Sequence, residues 1–335
     1  MPSVERARVI VIGGGLAGLS AAIYLSRAKR DVLVVDDGRS MARWEPDVQN
    51  YLGFPDGISG RVLLERARQQ AERYGTRFAQ DHIISARAPT SRFTLRGRLR
   101  SYTCSRLLIA TGIFHIPPAL PDLEPCLGHS MFFCKDCDGY RVQSKSIAIY
   151  GWTNEAVRYA LGMMQYSACV SIVTDGHRPR WDPQHANWVS EYKIPVYKAG
   201  IRDIRKDRDQ IRSLCFPDGT EVRVEALFTT RGDVVHNGLA AGLGANLGQD
   251  GEVVVDEDMR TTVHGLYAAG CVTPANCQMI IAAGQGATAA QAINRDLLEE
   301  SLAKHTLHRL RRRQIRTHVT VPKRRRRPAA QALAG

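Results

Sequence analysis

Val9-Ile10-Val11-Ile12-Gly13-Gly14-Gly15-Leu16-Ala17-Gly18 decides the fold of this chain. Four apolar residues in a row suit a short buried strand, and the glycines that follow suit a tight turn. The Ala/Leu-rich stretch to about residue 27 predicts a helix, and residues 31–35 predict a second strand ending at Asp36. Strand, glycine turn, helix and strand, with an acid about twenty residues on, form the dinucleotide-binding fingerprint. Gly13 permits the tight turn, Gly15 lets backbone approach a pyrophosphate, and Gly18 allows close helix–strand packing. Amide donors and the positive dipole of the helix N-terminus face the phosphates, and Asp36 is placed to accept from a ribose.

A second decisive stretch is Cys134-Lys135-Asp136-Cys137-Asp138-Gly139. Two cysteines three apart can close a small disulfide ring, and one becomes an attacking thiolate if its pKa falls. Asp138 follows at once, in reach to donate or accept a proton. The bland alternative is half of a zinc site, which needs a second pair of soft ligands. No other Cys-x-x-Cys exists, and Cys271 and Cys277 are six apart without paired histidines, so we read a redox dithiol and no metal site. Lys135 favours a nearby thiolate and Asp136 opposes it.

The remaining chain gives the organisation. A Gly/Pro-rich loop covers residues 50–57, and an amphipathic helix is predicted from about residue 61 to 74. Short strands lead to Leu107-Leu108-Ile109-Ala110-Thr111-Gly112, and Pro117, Pro118 and Pro121 mark a linker because proline breaks helix and ladder alike. Residues 146–150 predict a buried strand running into a turn at Gly151. Strands are expected over residues 253–269, then a long Ala/Gly-rich helix over about residues 278–300. This pattern divides the chain into a discontinuous unit, residues 1–116 and 247–300, with residues 117–246 inserted and residues 301–335 as a basic flexible tail.

The chain has 335 residues, 44% hydrophobic and 24% charged, which is ordinary for a soluble globular protein of two domains. No apolar run reaches the roughly 18 residues of a membrane span. The start shows no signal peptide, so the expected location is cytoplasmic, with the eight cysteines mostly reduced. Net charge is +13, but residues 301–335 hold eleven Lys and Arg and no acid, leaving +2 for residues 1–300. The tail attracts anionic partners. Its lack of aromatics argues against base stacking and nucleic acid, and steering of an acidic redox protein suits it at least as well.

In order, the glycine fingerprint, Asn50 with Gly53-Phe54-Pro55, Ala110-Thr111-Gly112, Cys134-x-x-Cys137-Asp138-Gly139, Gly265-Leu266-Tyr267-Ala268-Ala269-Gly270 and Gln278 resemble the low-molecular-weight thioredoxin reductase family across about residues 7–300. The resemblance implies an α/β protein of two Rossmann-like FAD/NAD(P)-binding domains of three-layer ββα type, the second inserted into the first. It implies FAD held by the outer segments through Gly13, Gly15, Gly18, Asp36, Asn50, Ala110, Thr111, Gly112, Gly270 and Gln278. It further implies that Cys137 faces the flavin, that Cys134 exchanges with a thioredoxin-like protein or a small disulfide, that Asp138 is the acid/base, and that the protein is a homodimer. The N-terminal dipole of the last helix would stabilise negative charge on the reduced ring.

Two positions depart from the family pattern. Cys271 stands where the family has an Asp that accepts from the flavin's ribityl chain; we expect a small buried filler. The greater departure is Ile147-Ala148-Ile149-Tyr150-Gly151-Trp152-Thr153-Asn154-Glu155-Ala156, at the place of the NADPH turn. Trp152 and Thr153 stand where glycines belong, and Asp175-Gly176-His177-Arg178-Pro179 replaces the basic cluster that clamps a 2′-phosphate. Thr153 adds a Cβ where backbone must meet pyrophosphate, and Asp175 repels phosphate. A tryptophan here covers the turn or, less commonly, stacks on a planar ligand such as a second flavin. Electrons would then come from a ferredoxin-like protein, or flow from a small dithiol to oxygen in a dithiol oxidase. A third reading is a flavin-binding redox sensor with the basic tail as its output.

Overall fold

The computed structural model describes residues 4–88 and 92–308. The tail expected to be basic and flexible therefore lies outside the described residues from 309 onward. The chain divides into two compact units, residues 1–292 and 293–335. In the second, the last helix ends at Ala303 and Lys304 Nζ bonds Glu300 Oε1 at 2.7 Å.

The first unit opens with strand β1 (Val4–Arg6), β2 (Val9–Ile12), helix α1 (Leu16–Arg27) and β3 (Val32–Asp36). Helix α2 (Gly60–Arg73) and strand β4 (Arg77–Gln80) follow, then β5 (Ile83–Arg87), β6 (Phe93–Gly97), β7 (Ser101–Cys104), β8 (Arg106–Ile109) and β9 (Ile113–His115). Next come β10 (Met131–Phe132), the short helix α3 (Lys135–Asp138), β11 (Ile147–Tyr150), helix α4 (Asn154–Met163), β12 (Val170–Val173), helix α5 (Pro183–Glu191) and β13 (Val196–Tyr197). An antiparallel trio, β14 (Asp203–Asp207), β15 (Gln210–Cys215) and β16 (Glu221–Arg223), precedes β17 (Ala226–Thr229) and β18 (Asp233–Val235). Helix α6 (Gly238–Gly242), strand β19 (Leu266–Ala268) and helix α7 (Met279–Ala303) complete the order.

Two parallel five-stranded sheets result, in the orders β19-β8-β2-β3-β4 and β10-β17-β11-β12-β13. Every residue of β2, β8, β11, β12 and β17 is buried, which explains why these strands are apolar apart from Arg106, Ser171 and Thr229. The first sheet takes strands from both ends of the sequence, and the second only from residues 131–229. These are two Rossmann-like domains, the second inserted into the first.

The two chain crossings run side by side. β9 leaves the first domain and β18 returns, paired antiparallel from Ile113↔Val235 to His115↔Asp233. Ala240 and Ala245 already pack into the first domain's core with Ile10, Leu107 and Ala268. On that packing we propose the return boundary at β18, ahead of the 246/247 division expected from the sequence.

The strands expected over residues 253–269 reduce to β19. Asp256 Oδ1 accepts from the amides of Asp258 and Arg260, and Met259 has φ +62°, so a side-chain-braced turn takes the place of a ladder.

Beside the first sheet, β1, β7, β6 and β5 form a smaller one, pinned by one buried carboxylate. Asp81, 5% exposed, accepts from Tyr102 Oη at 2.8 Å and from the amides of His82 (2.8 Å), Leu99 (3.1 Å) and Arg100 (3.2 Å). Burial pushes this carboxyl up, but the four hydrogen bonds together outweigh it and hold the pKa below the ordinary Asp range. A depressed acid contributes stability above its unfolded pKa and loses it as pH falls through the folded one. Asp81→Ala should therefore cost about 2–3 kcal/mol at pH 7, because it strands buried donors. In urea unfolding, the gap from wild type should narrow below about pH 4.

Candidate active site

The first glycine turn is built from backbone contacts. Gly13 has φ +108°, and a Cβ there would run into the Ala110 carbonyl. A Cβ on Gly18 would strike the Gly13 carbonyl, so α1 can sit directly on the turn. Gly14 N donates to Asp36 Oδ1 at 2.9 Å, which spends one carboxylate oxygen on bracing the turn. Gly15 caps α1 without a side-chain bond, and the first turn of α1 carries no acid. Its amides are thus free for an anion. A cleft of about 560 Å³ beside the turn is lined by Gly14, Asp36, Gly38, Ser40 and Arg43 among others.

Ala110-Thr111-Gly112 is locked to the returning chain. Thr111 Oγ1 donates to His236 O at 2.7 Å, His236 N donates to Gly112 O at 3.0 Å, and Gly112 takes φ +63°. Gly270, with φ +84°, lies against Ala17 of α1, and its amide donates to Gln285 Oε1 at 2.8 Å. At Gly286 a side chain would meet the Ala17 backbone, so the small residues of α7 let two helices approach closely.

Cys134 and Cys137 form a disulfide, both half-buried. Cys134 caps α3, and its Sγ accepts from Cys137 N at 3.1 Å. Gln278 Nε2 reaches both sulfurs, Cys134 Sγ at 3.4 Å and Cys137 Sγ at 3.3 Å. Asn50 Nδ2 donates to Gln278 Oε1 at 3.1 Å, an oxygen that itself lies 3.6 Å from Cys137 Sγ. Residues 228 apart in sequence therefore meet at the dithiol. Lys135 Nζ bonds Asp136 Oδ1 at 2.8 Å, so these opposing charges largely cancel beside the ring.

Asp138 is 3% exposed and accepts from Arg141 Nη1 at 2.8 Å; Arg141 Nη2 also donates to Gly128 O at 3.1 Å. Burial pushes Asp138 up to about 6, even though Arg141 pulls it down. Glu45 faces the same cluster. Burial first, then the Asp138 charge, pushes it up to about 7, opposed by Arg141 and His115. Glu45 escapes sequence reading because the tertiary fold alone brings it to Asp138; Arg141, three residues after Asp138, belongs to no motif and was passed over although the pairing is local.

The second turn is closed by its own chain. Trp152 stacks on His177 with ring centroids 3.7 Å apart, and Arg180 N donates to Trp152 O at 2.7 Å. Thr153 forms a bridge with Arg180, and Asn154 Nδ2 donates to Asp182 Oδ2 at 2.9 Å. Tyr150 Oη donates to Asp175 Oδ2 at 2.6 Å. Glu155 occupies the first turn of α4, where an anion would otherwise sit.

The family description Pyridine nucleotide-disulphide oxidoreductase matches residues 7–294. The chain belongs to that family. The glucosaminate ammonia-lyase of Pseudomonas fluorescens is 31% identical over 314 residues, 87% of this chain and 95% of that protein. A thioredoxin reductase of Coxiella burnetii is 29% identical, covering 84% of this chain and 93% of its own. The crystal structure of HlmI superposes with a TM-score of 0.84 at 28% identity, over 91% of this chain and 96% of that one. Within the pyridine nucleotide-disulphide oxidoreductases this chain is of the thioredoxin reductase-like, flavin-dependent kind.

FAD fits the residues present. Its pyrophosphate would lie on the acid-free N-terminus of α1 at Gly13–Gly15, where side chains are excluded or absent, and its ribose beside the free oxygen of Asp36. One expectation is overturned. Cys271 is no buried filler: it is half-buried and joined to the exposed Cys277 in a second disulfide. A spacing of six, without a motif, gave no signal for the bond. Four of the eight cysteines are thus paired, where mostly reduced thiols were expected.

Glu45 yields a pH prediction. A raised acid prefers its neutral form in the fold, so its contribution is favourable below its ordinary pKa of 4.5 and is lost as pH rises through about 7. Glu45→Gln should stabilise the protein at pH 8 by about 1–2 kcal/mol after discount for partial exposure. It should change nothing near pH 4.5, as read from urea midpoints across that range.

Proposed function

We propose that this chain passes an electron pair between its flavin and an external dithiol or disulfide through Cys134 and Cys137, and that NADPH is not its electron donor. The observation that carries the reading is the Gln278 amide touching both sulfurs at the head of α7. Bound FAD supplies the two-electron chemistry.

The protein's own residues supply the sulfur chemistry. An incoming thiolate attacks Cys134 Sγ, the Cys134–Cys137 bond breaks, and Cys137 leaves as a thiolate. A second thiol of the partner then displaces Cys134, so the partner becomes a disulfide and both cysteines are reduced. The reverse sequence reduces a partner disulfide. Gln278 N–H stabilises whichever sulfur carries charge, and the Cys137 amide does the same for Cys134. Asp138, titrating near 6, can hand a proton to the departing thiolate or take one from the incoming thiol near neutral pH.

The sealed second turn supports the exclusion of NADPH. His177 fills the face of Trp152, Arg180 and Asp182 tie down residues 152–154, and Glu155 and Asp175 put negative charge where phosphates would sit. A ferredoxin-like protein is then the source of electrons and a disulfide substrate their outlet. The same seal favours a second reading, a dithiol oxidase that passes electrons on to oxygen. A homodimer in the cytoplasm, with a thioredoxin-like protein or a small dithiol as partner, completes the proposal.

Anaerobic addition of NADPH, reduced ferredoxin or a small dithiol, each followed by flavin absorbance, tests it. NADPH should leave the flavin oxidised, and a dithiol should bleach it in wild type but not in Cys137→Ser. Rapid bleaching by NADPH would overturn the exclusion. Oxygen uptake during dithiol turnover would favour the oxidase. Asp138→Asn should slow dithiol-driven bleaching by about 10²-fold and remove its inflection near pH 6.

A further inference from the structure

Cys271–Cys277 lies outside the chemistry described so far, yet it ends one residue before Gln278. The loop it closes is anchored unequally. On the Cys271 side, Val272 and Thr273 are buried; Thr273 N and Oγ1 both donate to Gly270 O, at 2.9 and 2.8 Å, and Thr273 Oγ1 also reaches Gln285 Oε1 at 3.2 Å. Val253 N donates to Val272 O at 2.8 Å. On the other side, Pro274, Ala275, Asn276 and Cys277 are all exposed. Their ties are the disulfide and a local bond from Gln278 N to Asn276 O at 2.9 Å. Gln278 is held from its helix side by Ala282 N donating to its carbonyl at 2.9 Å and by Asn50, so the disulfide is the tether of its other side, carrying the rigidity of Gly270 and Thr273 to the residue that touches both sulfurs.

We propose that Cys271–Cys277 is a second redox-active disulfide, opened by small dithiols at Cys277, and that its closed form holds Gln278 against Cys134 and Cys137. Exposed disulfides are the labile ones, because a thiolate must reach a sulfur along the bond axis. Cys277 offers that approach and Cys271, half-buried, is the leaving group. The dithiol's thiolate attacks Cys277 Sγ, the bond to Cys271 breaks, and Cys271 takes up a proton. The dithiol's second thiol then displaces Cys277, which is protonated in turn; one dithiol is oxidised to its disulfide and two cysteines are reduced. Opening frees residues 274–277, loosens Gln278 and withdraws its N–H from the departing thiolate. Exchange at Cys134–Cys137 then slows. The second half of this inference rests on the dithiol chemistry proposed above; the ring opening does not.

The test uses the full chain with its FAD, equilibrated anaerobically in dithiothreitol buffers of increasing reducing strength. Thiols are trapped with N-ethylmaleimide and each cysteine peptide is weighed. Exposed, unpaired Cys169 reports complete trapping at every step. Cys271 and Cys277 should gain label together in the native protein. The double variant Cys271→Ser, Cys277→Ser should label Cys134 and Cys137 several-fold more slowly than wild type under dithiothreitol, with FAD content retained. A 271–277 bond that opens only in denaturant overturns the proposal, as does wild-type exchange in the double variant. Should that variant not fold, wild type poised with 271–277 open decides the rate question. Inert Cys134–Cys137 beside an opening 271–277 ring would strike the proposed function instead, since each pair is read on its own peptides.

Discussion

The Gln278 amide is the contact that joins the two domains at the dithiol. It stands at the head of α7, which belongs to the first domain, and it donates to sulfurs carried by the second. Asn50, from a third stretch of chain, donates to its oxygen. An amide bonded to neutral sulfur is a weak interaction, but it becomes charge-assisted once either cysteine is a thiolate. Its effect therefore grows as the disulfide opens, which is the direction a catalytic contact must take.

The two glycine turns start alike and differ in what lies against them. Both follow a fully buried parallel strand and both lead into a helix. At the first, glycines leave amides uncovered and no acid enters the helix's first turn. At the second, Trp152 recruits His177, and the chain over residues 175–182 bonds back onto residues 152–154. Glu155 adds an acid to the first turn of α4, where the first turn of α1 has none.

Much of this was legible in the sequence because it is local. The fingerprint of the first turn and the Cys134–Cys137 pair each depend on residues a few positions apart. Gln278 and Asn50 were found only through the family resemblance; nothing in their own neighbourhoods marks them as partners. Glu45, His236 and Gln285 left no trace at all, since each acts through a contact that only the tertiary fold creates, whereas Arg141 pairs locally with Asp138 three residues before it and was passed over. Cys271 was misread for the same reason. Free cysteine is usually a buried filler, and what decides otherwise is a loop that brings Cys277 back to a Cα separation of 5.0 Å.

The inserted domain's fold does not depend on what its glycine turn binds, and its packing explains why. Its core is Ile147, Ile149, Ile172, Phe132 and Phe228 around the sheet, with Ala156, Val157 and Ala160 of α4 laid across it. None of these residues depends on a bound phosphate, so the turn can change without cost to the sheet. The same domain carries α3, just after β10 of its five-stranded sheet, and with it both sulfurs and the buried Asp138. The packed sheet is in this way the rigid mount for the dithiol, which it presents to Gln278.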